Sequence, residues 1–240
     1  MLSLLFYIAF LGFSLAYFVL FSVVFLLTVP VDRRRVVIHG MSRFWAICFF
    51  RLAPTWKIEV EGRENIEKGI PYVVVVNHRS MVDIILMYVL PLNFRWVAKK
   101  EVYRWPLFGW VLWMHGDITI ERGSAPALRK MVKQSSLWLS RGVSVVVFPE
   151  GTRSKSDDLG RFKEGAFLIA KNAGAAILPC ATYGTGSVFK GWRVNFRNVY
   201  RVRILPTVSA EEVRRSDTKT LTSDIYDRIS SAYEELKRAK

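Results

Sequence analysis

The sequence is poor in the two residue types that build disulfide frameworks and zinc sites, since its 240 residues include only two cysteines and three histidines. Cys48 and Cys180 stand far apart in apolar surroundings, so no disulfide framework is expected and a reducing compartment is indicated. His39, His78 and His115 are widely scattered and no paired cysteines accompany them. These spacings do not support a zinc site, and we expect the chain to bind no metal.

Acidic residues are also scarce relative to basic ones. The chain has 35 Lys and Arg against 20 Asp and Glu, which gives a formal net charge of +15. This excess implies an anionic partner, which can be nucleic acid, an acidic substrate or an anionic membrane surface. With 51% apolar residues, a chain of this length can bury one sizeable core and carry a small appendage, so we expect one catalytic domain.

The first 31 residues contain no charged residue and are dominated by Leu, Phe, Val and Ile. As a helix this segment would measure roughly 46 Å, which exceeds a hydrocarbon core of about 30 Å. A secretory signal peptide is the main alternative, but there is no basic residue before the apolar run and no clear small-residue cleavage site after it. Arg33, Arg34 and Arg35 follow, which by the positive-inside tendency places the catalytic domain on the cytoplasmic face of a membrane.

The segment 36–52 has the pattern of a second helix, with aromatic residues interspersed among basic ones. Arg35, His39, Arg43 and Arg51 recur at multiples of four and would occupy one broad side. This pattern is typical of a helix in the membrane interface, with basic side chains toward lipid phosphates and aromatic rings toward acyl chains. The alternative is a helix that packs on the domain and buries its aromatic residues in protein.

Runs of β-branched residues at 71–76 and 143–148 predict strands that are buried on both faces. Further strands are expected at 56–61, 93–98, 116–122, 175–180 and, as one or two edge strands, within 194–205. Helices are expected at 81–90, 124–141, 162–172 and 218–240, with a broken helix at 102–114. This alternation indicates the α/β class: a mixed, mostly buried sheet flanked by helices, with an N-terminal two-helix membrane-anchoring motif. We assign the anchoring and interfacial helices to 1–54 and the catalytic domain to 55–240.

The segment 77–83, Asn-His-Arg-Ser-Met-Val-Asp, begins where the strand at 71–76 ends. Ser80 and Asp83 resemble a capping box at the start of the next helix, and capping alone can explain both residues. The same carboxylate can also accept a hydrogen bond from one ring nitrogen of His78, which leaves the other nitrogen free as a base. The two interpretations do not exclude each other.

Other charged residues stand at the ends of the expected strands, where loops that are distant in sequence can form one site. These residues are Lys99, Lys100, Arg122, Glu150 and Arg153. Together with His78 and Asp83 they suit acyl transfer to an alcohol on an anionic molecule. For each Lys or Arg taken singly, the alternative is a solvated surface charge.

In such a reaction His78 would take the hydroxyl proton, Asp83 would orient His78 and the cations would hold a phosphate. A backbone N–H near Gly151 would stabilise the oxyanion. Direct attack by the acceptor on a thioester requires no Ser or Cys nucleophile and no cofactor.

Four segments resemble the motifs of the glycerolipid acyltransferases related to 1-acyl-sn-glycerol-3-phosphate acyltransferase, and the resemblance extends from the N-terminal anchor to Pro179. They are 77–83, already given, 116–122 (Gly-Asp-Ile-Thr-Ile-Glu-Arg), 148–154 (Phe-Pro-Glu-Gly-Thr-Arg-Ser) and 177–180 (Ile-Leu-Pro-Cys). The third motif is complete. In the second, Thr119 and Glu121 depart from the usual Phe and Asp, which weakens inference about the choice of acceptor.

The resemblance implies roles for individual residues. His78 would be the general base and Asp83 its partner. Positions that would bind the acceptor or support the oxyanion are Arg122, Glu150, Gly151 and Thr152. Basic positions that would lie near the substrate phosphate are Lys99, Lys100 and Arg153.

The function implied is transfer of a fatty acyl group from acyl-CoA or acyl carrier protein to the sn-2 hydroxyl of lysophosphatidic acid, giving phosphatidic acid. The partners would be that donor, the lysophospholipid acceptor and an anionic membrane surface. An enzyme that acylates glycerol 3-phosphate or another lysophospholipid is the alternative of the same class. A non-catalytic basic membrane scaffold is the alternative of another class, although it would not need His78, Asp83 and Glu150. No recognised nucleic-acid motif appears, so no nucleic acid is expected as a partner.

Overall fold

The computed structural model describes residues 1–121, 123–154 and 158–239. The helices are α1 (Leu2–Thr28), α2 (Val36–Arg51), α3 (Met81–Leu86), α4 (Phe108–His115), α5 (Ala125–Ser140), α6 (Gly165–Ala173), α7 (Ala210–Arg215) and α8 (Thr218–Arg238). The strands are β1 (Lys57–Glu61), β2 (Tyr72–Val76), β3 (Phe94–Lys99), β4 (Ile118–Ile120), β5 (Ser144–Val147), β6 (Ala176–Tyr183), β7 (Phe189–Lys190), β8 (Arg193–Val194) and β9 (Val199–Ile204). This alternation confirms the predicted α/β class.

Seven strands form one sheet in the order β1-β9-β6-β2-β5-β3-β4, and β7 pairs with β8 in a separate hairpin. The five strands from β2 to β6 are parallel. By contrast, β9 runs antiparallel to β6, and β1 pairs parallel to β9. The sheet is therefore mixed, as predicted. The prediction that 194–205 supplies edge strands is wrong for β9, because β1 pairs along its outer side.

Strand β2 lies at the centre of the sheet, and all five of its side chains are buried. Val73 and Val75 belong to the core under α5, α6 and α8, while Tyr72, Val74 and Val76 belong to the core under α2 and α3. Because successive side chains of a strand point to opposite faces, a strand covered on both faces needs an unbroken apolar run. The segment 77–83 therefore begins at the end of a strand that is held between two cores.

Helices α1 and α2 lie side by side and run in opposite directions. The rings of Phe6 and Phe49 are 5.9 Å apart at one end, and the Arg35 guanidinium lies 5.3 Å from the Phe25 ring at the other. Phe6 and Phe49 are buried in the same core as β2. The division of the chain at residue 54 stays a prediction, because the anchor shares a core with the sheet.

Both ends of α1 contact the rest of the protein. Near its start, the Phe6 ring lies 6.0 Å from Phe196, and near its end, the Phe25 ring lies 5.3 Å from Trp113. The 27 residues of α1 make it long and apolar enough to cross a membrane, and only 11% of its most apolar stretch is buried in the protein. Its length is about 40 Å, so the two contacts lie far apart on one surface of the molecule.

Helix α2 forms as predicted, but His39 does not face lipid. His39 is buried, and its Nδ1 lies 3.2 Å from Nε2 of His115. His115 Nδ1 in turn lies 2.7 Å from Asp117 Oδ1, which also accepts the backbone N–H of Trp96 at 2.8 Å. The predicted lipid-facing role of His39 is therefore wrong, because a buried hydrogen-bonded chain links α2 to α4 and β3.

Arg35 departs from the lipid-facing pattern as well, since its guanidinium donates to the carbonyls of Trp113 and Met114 at the end of α4. Arg43 and Arg51 are exposed. Residues spaced at multiples of four lie at successively different angles around a helix. As a result, Arg35 and His39 contact the protein, whereas Arg43 and Arg51 are exposed.

The buried histidines predict a pH dependence of stability. Burial, together with His115 and Arg95, lowers the pKa of His39 to about 2, and burial lowers that of His115 as well. An unfolded chain binds a proton at His39 below about pH 6.5, whereas the folded chain does not, so this contribution is complete above that pH and is lost as the pH falls. We expect His39→Gln to flatten the fall in thermal unfolding midpoint between about pH 7.5 and pH 5.

Arg51→Gln is the matched control, because Arg51 is exposed at the end of the same helix. It should leave the pH dependence of the unfolding midpoint unchanged. An identical pH dependence in the wild-type chain and His39→Gln would show that His39 takes up no proton on unfolding.

Candidate active site

Asn77 connects the end of β2 to the neighbouring strand β6. Its Oδ1 accepts the backbone N–H of Thr182 at 2.7 Å, and its Nδ2 donates to the Thr182 carbonyl at 2.9 Å. Asn77 and Thr182 are both fully buried. The amide side chain thus replaces a backbone partner where β2 ends, and it fixes the direction in which the chain turns toward His78.

Asp83 receives several hydrogen bonds on one oxygen. Its Oδ2 lies 3.0 Å from His78 Nδ1, and it accepts the backbone N–H groups of Arg79 and Ser80 at 2.6 and 2.7 Å. Ser80 Oγ accepts the N–H of Val82 at 3.3 Å, which completes the capping box. The capping role and the contact with His78 therefore coexist, as the sequence allowed.

These contacts determine which nitrogen of His78 is available. An ionised carboxylate can only accept, so His78 Nδ1 carries the proton that it donates to Asp83. Nε2 is left with a lone pair. The imidazole ring also stacks on Phe148, with centroids 3.9 Å apart and planes at 14°, and Phe148 stacks on Trp96 at 5.3 Å and 15°. The ring is thus held at one edge by Asp83 and on one face by Phe148.

Glu150 holds the backbone on which His78 sits. It is buried, and its Oε1 accepts the His78 N–H at 2.7 Å while its Oε2 accepts the Gly160 N–H at 2.9 Å. The His78 carbonyl accepts the N–H of Ser154 at 2.9 Å. Burial raises the pKa of Glu150, and the two amides oppose that rise. Both Glu150 oxygens thus accept N–H groups of the protein itself, one of them that of His78.

The loop that follows Glu150 presents several backbone N–H groups. The Gly151 N–H donates to the Phe148 carbonyl at 3.0 Å, so it does not point freely into the site. Within the part of the chain that the structure describes, the N–H groups of Thr152 and Arg153 have no hydrogen-bond acceptor. An oxyanion donor would therefore be found one or two residues beyond the glycine indicated by the sequence.

A groove of about 500 Å³ opens beside His78. Four further residues predicted for the site also line it, namely Lys99, Gly151, Thr152 and Arg153. Its apolar walls come from α4, the strands and α5, and include Trp96, Val97, Val102, Trp105, Phe108, Leu112, Ile120, Met131 and Val147. The groove therefore combines a potential base, cations and a long apolar surface.

The structure separates Lys100 from this group. Its Nζ lies 2.9 Å from Glu121 Oε2, and both side chains are more than half exposed. Lys100 is therefore a surface charge in an ion pair, which was the alternative left open for each cation. Arg122, also predicted for the site, lies outside the described residues.

Groove residues that were not predicted for the site include Trp96, Phe148 as a stacking partner, and Lys163. Lys163 lines the groove, and its N–H donates to the Pro149 carbonyl at 2.9 Å. A basic residue just before α6, in the loop after the Phe-Pro-Glu-Gly motif, was the available signal for Lys163. No comparable signal existed for Trp96 and Phe148, because core packing accounts equally well for an aromatic residue in or next to a strand.

Two observations restrict the alternatives. A second cavity of about 430 Å³ lies at the opposite end of the sheet, beside Tyr72 and Ala176 at the starts of β2 and β6, and has no His among its lining residues. Among residues 1–121, 123–154 and 158–239, no group of three or more His, Cys, Asp or Glu is placed to hold a metal ion. The groove beside His78 is thus the candidate active site.

The amino-acid sequence is similar to those of one family of known proteins. The acyltransferase family model matches residues 57–183. The chain is 34% identical to a 1-acyl-sn-glycerol-3-phosphate acyltransferase of Pseudomonas aeruginosa, over 75% of this chain and 69% of that protein. It is also 34% identical to a chloroplastic enzyme of the same description from Arabidopsis thaliana, over 72% of this chain and 48% of that protein. The chain thus spans about half the length of the chloroplastic relative.

A solved structure resembles the whole fold. The crystal structure of the 1-acyl-sn-glycerophosphate acyltransferase from Thermotoga maritima superimposes with a TM-score of 0.79 at 26% sequence identity. The match covers 98% of this chain and 96% of that chain. The similarity therefore includes the N-terminal helices as well as the sheet.

The contact between Gly160 and Glu150 predicts a sensitive position. A Cβ added at Gly160 would lie 2.7 Å from Glu150 Oε2, so Gly160→Ala must displace that oxygen and disturb the carboxylate whose Oε1 accepts the His78 N–H. We expect a fall of roughly 10- to 100-fold in the initial rate of acyl transfer, because small misplacements of a catalytic group have effects of this size.

Gly12→Ala is the matched control, since its added Cβ would meet no atom within 4 Å. It should leave the rate unchanged and should not lower the thermal unfolding midpoint, because Ala is a better helix former than Gly. A Gly160→Ala protein with the wild-type rate would show that Glu150 does not position His78.

Proposed function

Because this chain belongs to the acyltransferase family, we propose that it transfers a fatty acyl group from acyl-CoA or acyl carrier protein to the sn-2 hydroxyl of lysophosphatidic acid. The product is phosphatidic acid, a precursor in phospholipid biosynthesis. The observation that carries the proposal is the contact between His78 and Asp83 at the wall of an apolar groove that Lys99 and Arg153 also line. Such a groove suits a substrate with one acyl chain and one phosphate.

His78 acts as the general base through Nε2. It removes the proton from the acceptor hydroxyl as the oxygen attacks the thioester carbonyl, and the resulting imidazolium is stabilised by Asp83. The tetrahedral intermediate carries its negative charge on the former carbonyl oxygen, for which the N–H groups of Thr152 and Arg153 are the candidate donors. Collapse breaks the carbon–sulfur bond, and the imidazolium returns the proton to the departing thiolate.

The groove offers a charged surface for one end of the acceptor and an apolar surface for the other. Lys99, Arg153 and Lys163 supply positive charge for the phosphate, and Arg122 is a further candidate from the sequence motif. The apolar residues from α4 and β3 accommodate acyl chains by burying them away from water. Glu150 and Asp83 remain behind His78, where they orient the base.

We further propose that α1 and α2 hold the protein on the cytoplasmic face of an anionic membrane. Nearly all of the outward-facing residues of α1 are apolar, with Leu4, Ile8, Leu11 and Val19 each more than half exposed. Because both ends of α1 touch the catalytic domain, a position along the membrane surface is favoured over a perpendicular crossing. The groove then opens near the lipid that carries the acceptor.

A panel of donors and acceptors tests the function. Purified protein in detergent or liposomes should acylate lysophosphatidic acid in preference to glycerol 3-phosphate and other lysophospholipids, with either acyl-CoA or acyl carrier protein as donor. His78→Ala should lower the rate by at least about 100-fold, because general base catalysis contributes 10²- to 10⁴-fold.

The thermal unfolding midpoint of His78→Ala should remain near that of the wild-type chain, which separates lost chemistry from lost folding. A preference for glycerol 3-phosphate would refute the choice of acceptor. An undiminished rate in His78→Ala would refute the mechanism, and no transfer by the wild-type protein would favour a non-catalytic scaffold.

Lys99 and Lys100 form a matched pair of neighbouring lysines. Lys99 lines the groove, whereas Lys100 is exposed and pairs with Glu121. We expect Lys99→Ala to raise the KM for lysophosphatidic acid by about ten-fold, as expected for loss of one charge-assisted contact. Lys100→Ala should change KM by less than about two-fold, since exposed ion pairs contribute little. Equal effects of the two substitutions would contradict this placement of the phosphate.

A further inference from the structure

A small hairpin beside the start of α1 exposes a large aromatic side chain. Strands β7 and β8 are joined by Gly191 and Trp192, and Gly191 adopts a left-handed conformation with φ 61°. Trp192 is 63% exposed and Phe189 37% exposed. An isolated two-stranded hairpin is only marginally stable in water. The Trp192 ring lies outside the protein core, with the Arg193 guanidinium 5.8 Å from its centre.

The hairpin is attached to the first two turns of α1. The Phe189 ring stacks on Tyr7 with centroids 6.2 Å apart, and the Val194 N–H donates to Ser3 Oγ at 3.1 Å. The adjacent Phe196 ring packs 6.0 Å from Phe6. The hairpin therefore lies beside the apolar surface that α1 exposes.

The charged residues in the segment that contains the hairpin are all basic. No acidic residue occurs between 165 and 210, a stretch that contains six basic residues. Two of them, Arg201 and Arg203, form ion pairs with glutamates of β1 and α8. The three nearest the tip are exposed and have no ion-pair partner among the residues that the structure describes: Lys190, Arg193 and Arg197.

The opposite end of α1 has a similar composition. Trp110 and Trp113 of α4 are both more than half exposed and lie 6.0 and 5.3 Å from Phe18 and Phe25. Arg33 and Arg34 follow α1 directly and are exposed. Tryptophan and basic residues at both ends of an apolar helix are typical of structures that lie in the headgroup region of a membrane.

We propose that the hairpin 188–195 is a second membrane-contact element. Trp192 and Phe189 enter the headgroup region of an anionic bilayer, and Lys190 and Arg193, with Arg197 next to them, bind lipid phosphates. The proposal rests on the membrane association proposed above. It adds a contact outside α1 and α2, and it fixes the rotation of the molecule about α1, because the membrane then touches both α4 and the hairpin.

A lipid surface fits this patch better than a protein partner does. The patch is continuous with the apolar surface of α1, and its charge is complementary to anionic headgroups. A stable protein interface buries about 800 Å² on each side, whereas the hairpin tip offers one exposed Trp and one Phe that is 37% exposed. A second copy of the chain is therefore a poorer occupant.

Fluorescence of a labelled full-length chain tests the contact. Cys180 is fully buried, so a Cys48→Ala background with Trp192→Cys carries one accessible thiol for an environment-sensitive fluorophore. The protein is reconstituted in vesicles containing phosphatidylglycerol, with and without lipids brominated near the headgroup. The matched control is Leu137→Cys, because Leu137 is 50% exposed on α5, on the opposite face of the sheet from α2.

We expect strong quenching of the label at position 192 and little at position 137. Lys190→Glu combined with Arg193→Glu should lower the initial rate on acceptor in phosphatidylglycerol vesicles by about five-fold or more, because each basic residue near an anionic surface strengthens binding. The same variant should keep its rate within about two-fold on acceptor in neutral detergent micelles, where no anionic surface is present.

Equal quenching at the two positions would overturn the proposal. So would a change in fluorescence at position 192 that depends on the protein-to-lipid ratio and not on brominated lipid, since this result would indicate contact between copies of the chain. If the wild-type protein transferred no acyl group even in micelles, the proposed function would fail, whereas the quenching experiment would still decide the position of the hairpin.

Discussion

The Oδ2 atom of Asp83 is the point on which the candidate active site depends. It accepts two backbone N–H groups at the start of α3 and lies 3.0 Å from His78 Nδ1. The residue that caps the helix is thus the one that binds His78 Nδ1. Because Asp83 is fully buried, its position is set by the helix and the sheet, and no reorganisation of solvent is needed when His78 becomes charged.

A second carboxylate supports the same histidine from another direction. Glu150 binds the His78 N–H and joins it to the loop that ends at Gly160, while Phe148 and Trp96 stack beneath the imidazole. Both acids therefore act through the position of His78. Among the polar residues predicted for the site, His78, the loop after Glu150 and the cations of the groove are placed to contact a substrate, whereas the two acids support His78, which is a division expected of a preorganised site.

The two N-terminal helices are part of this arrangement. The buried chain from His39 through His115 to Asp117 ends on the backbone N–H of Trp96, whose ring belongs to the stack under His78. Helix α2 and His78 are thus connected by hydrogen bonds and ring contacts through the protein interior. Under the proposed function, this connection would couple the orientation of the N-terminal helices on a membrane to the direction in which the groove opens.

The sequence by itself determined the features that depend on local pattern: the buried strand β2, the capping box at Ser80, the apolar helix α1, and the order of motifs that predicted the family. Only the tertiary structure decided which of two adjacent lysines lines the groove, that Glu150 faces backbone amides, that His39 is buried, and that β9 lies inside the sheet. The physical reason is the range of the interactions. A cap or an apolar period involves residues within one or two turns, whereas His78 and Glu150, or His39 and His115, meet across more than 70 residues, and an exposed and a buried cation look alike in a sequence.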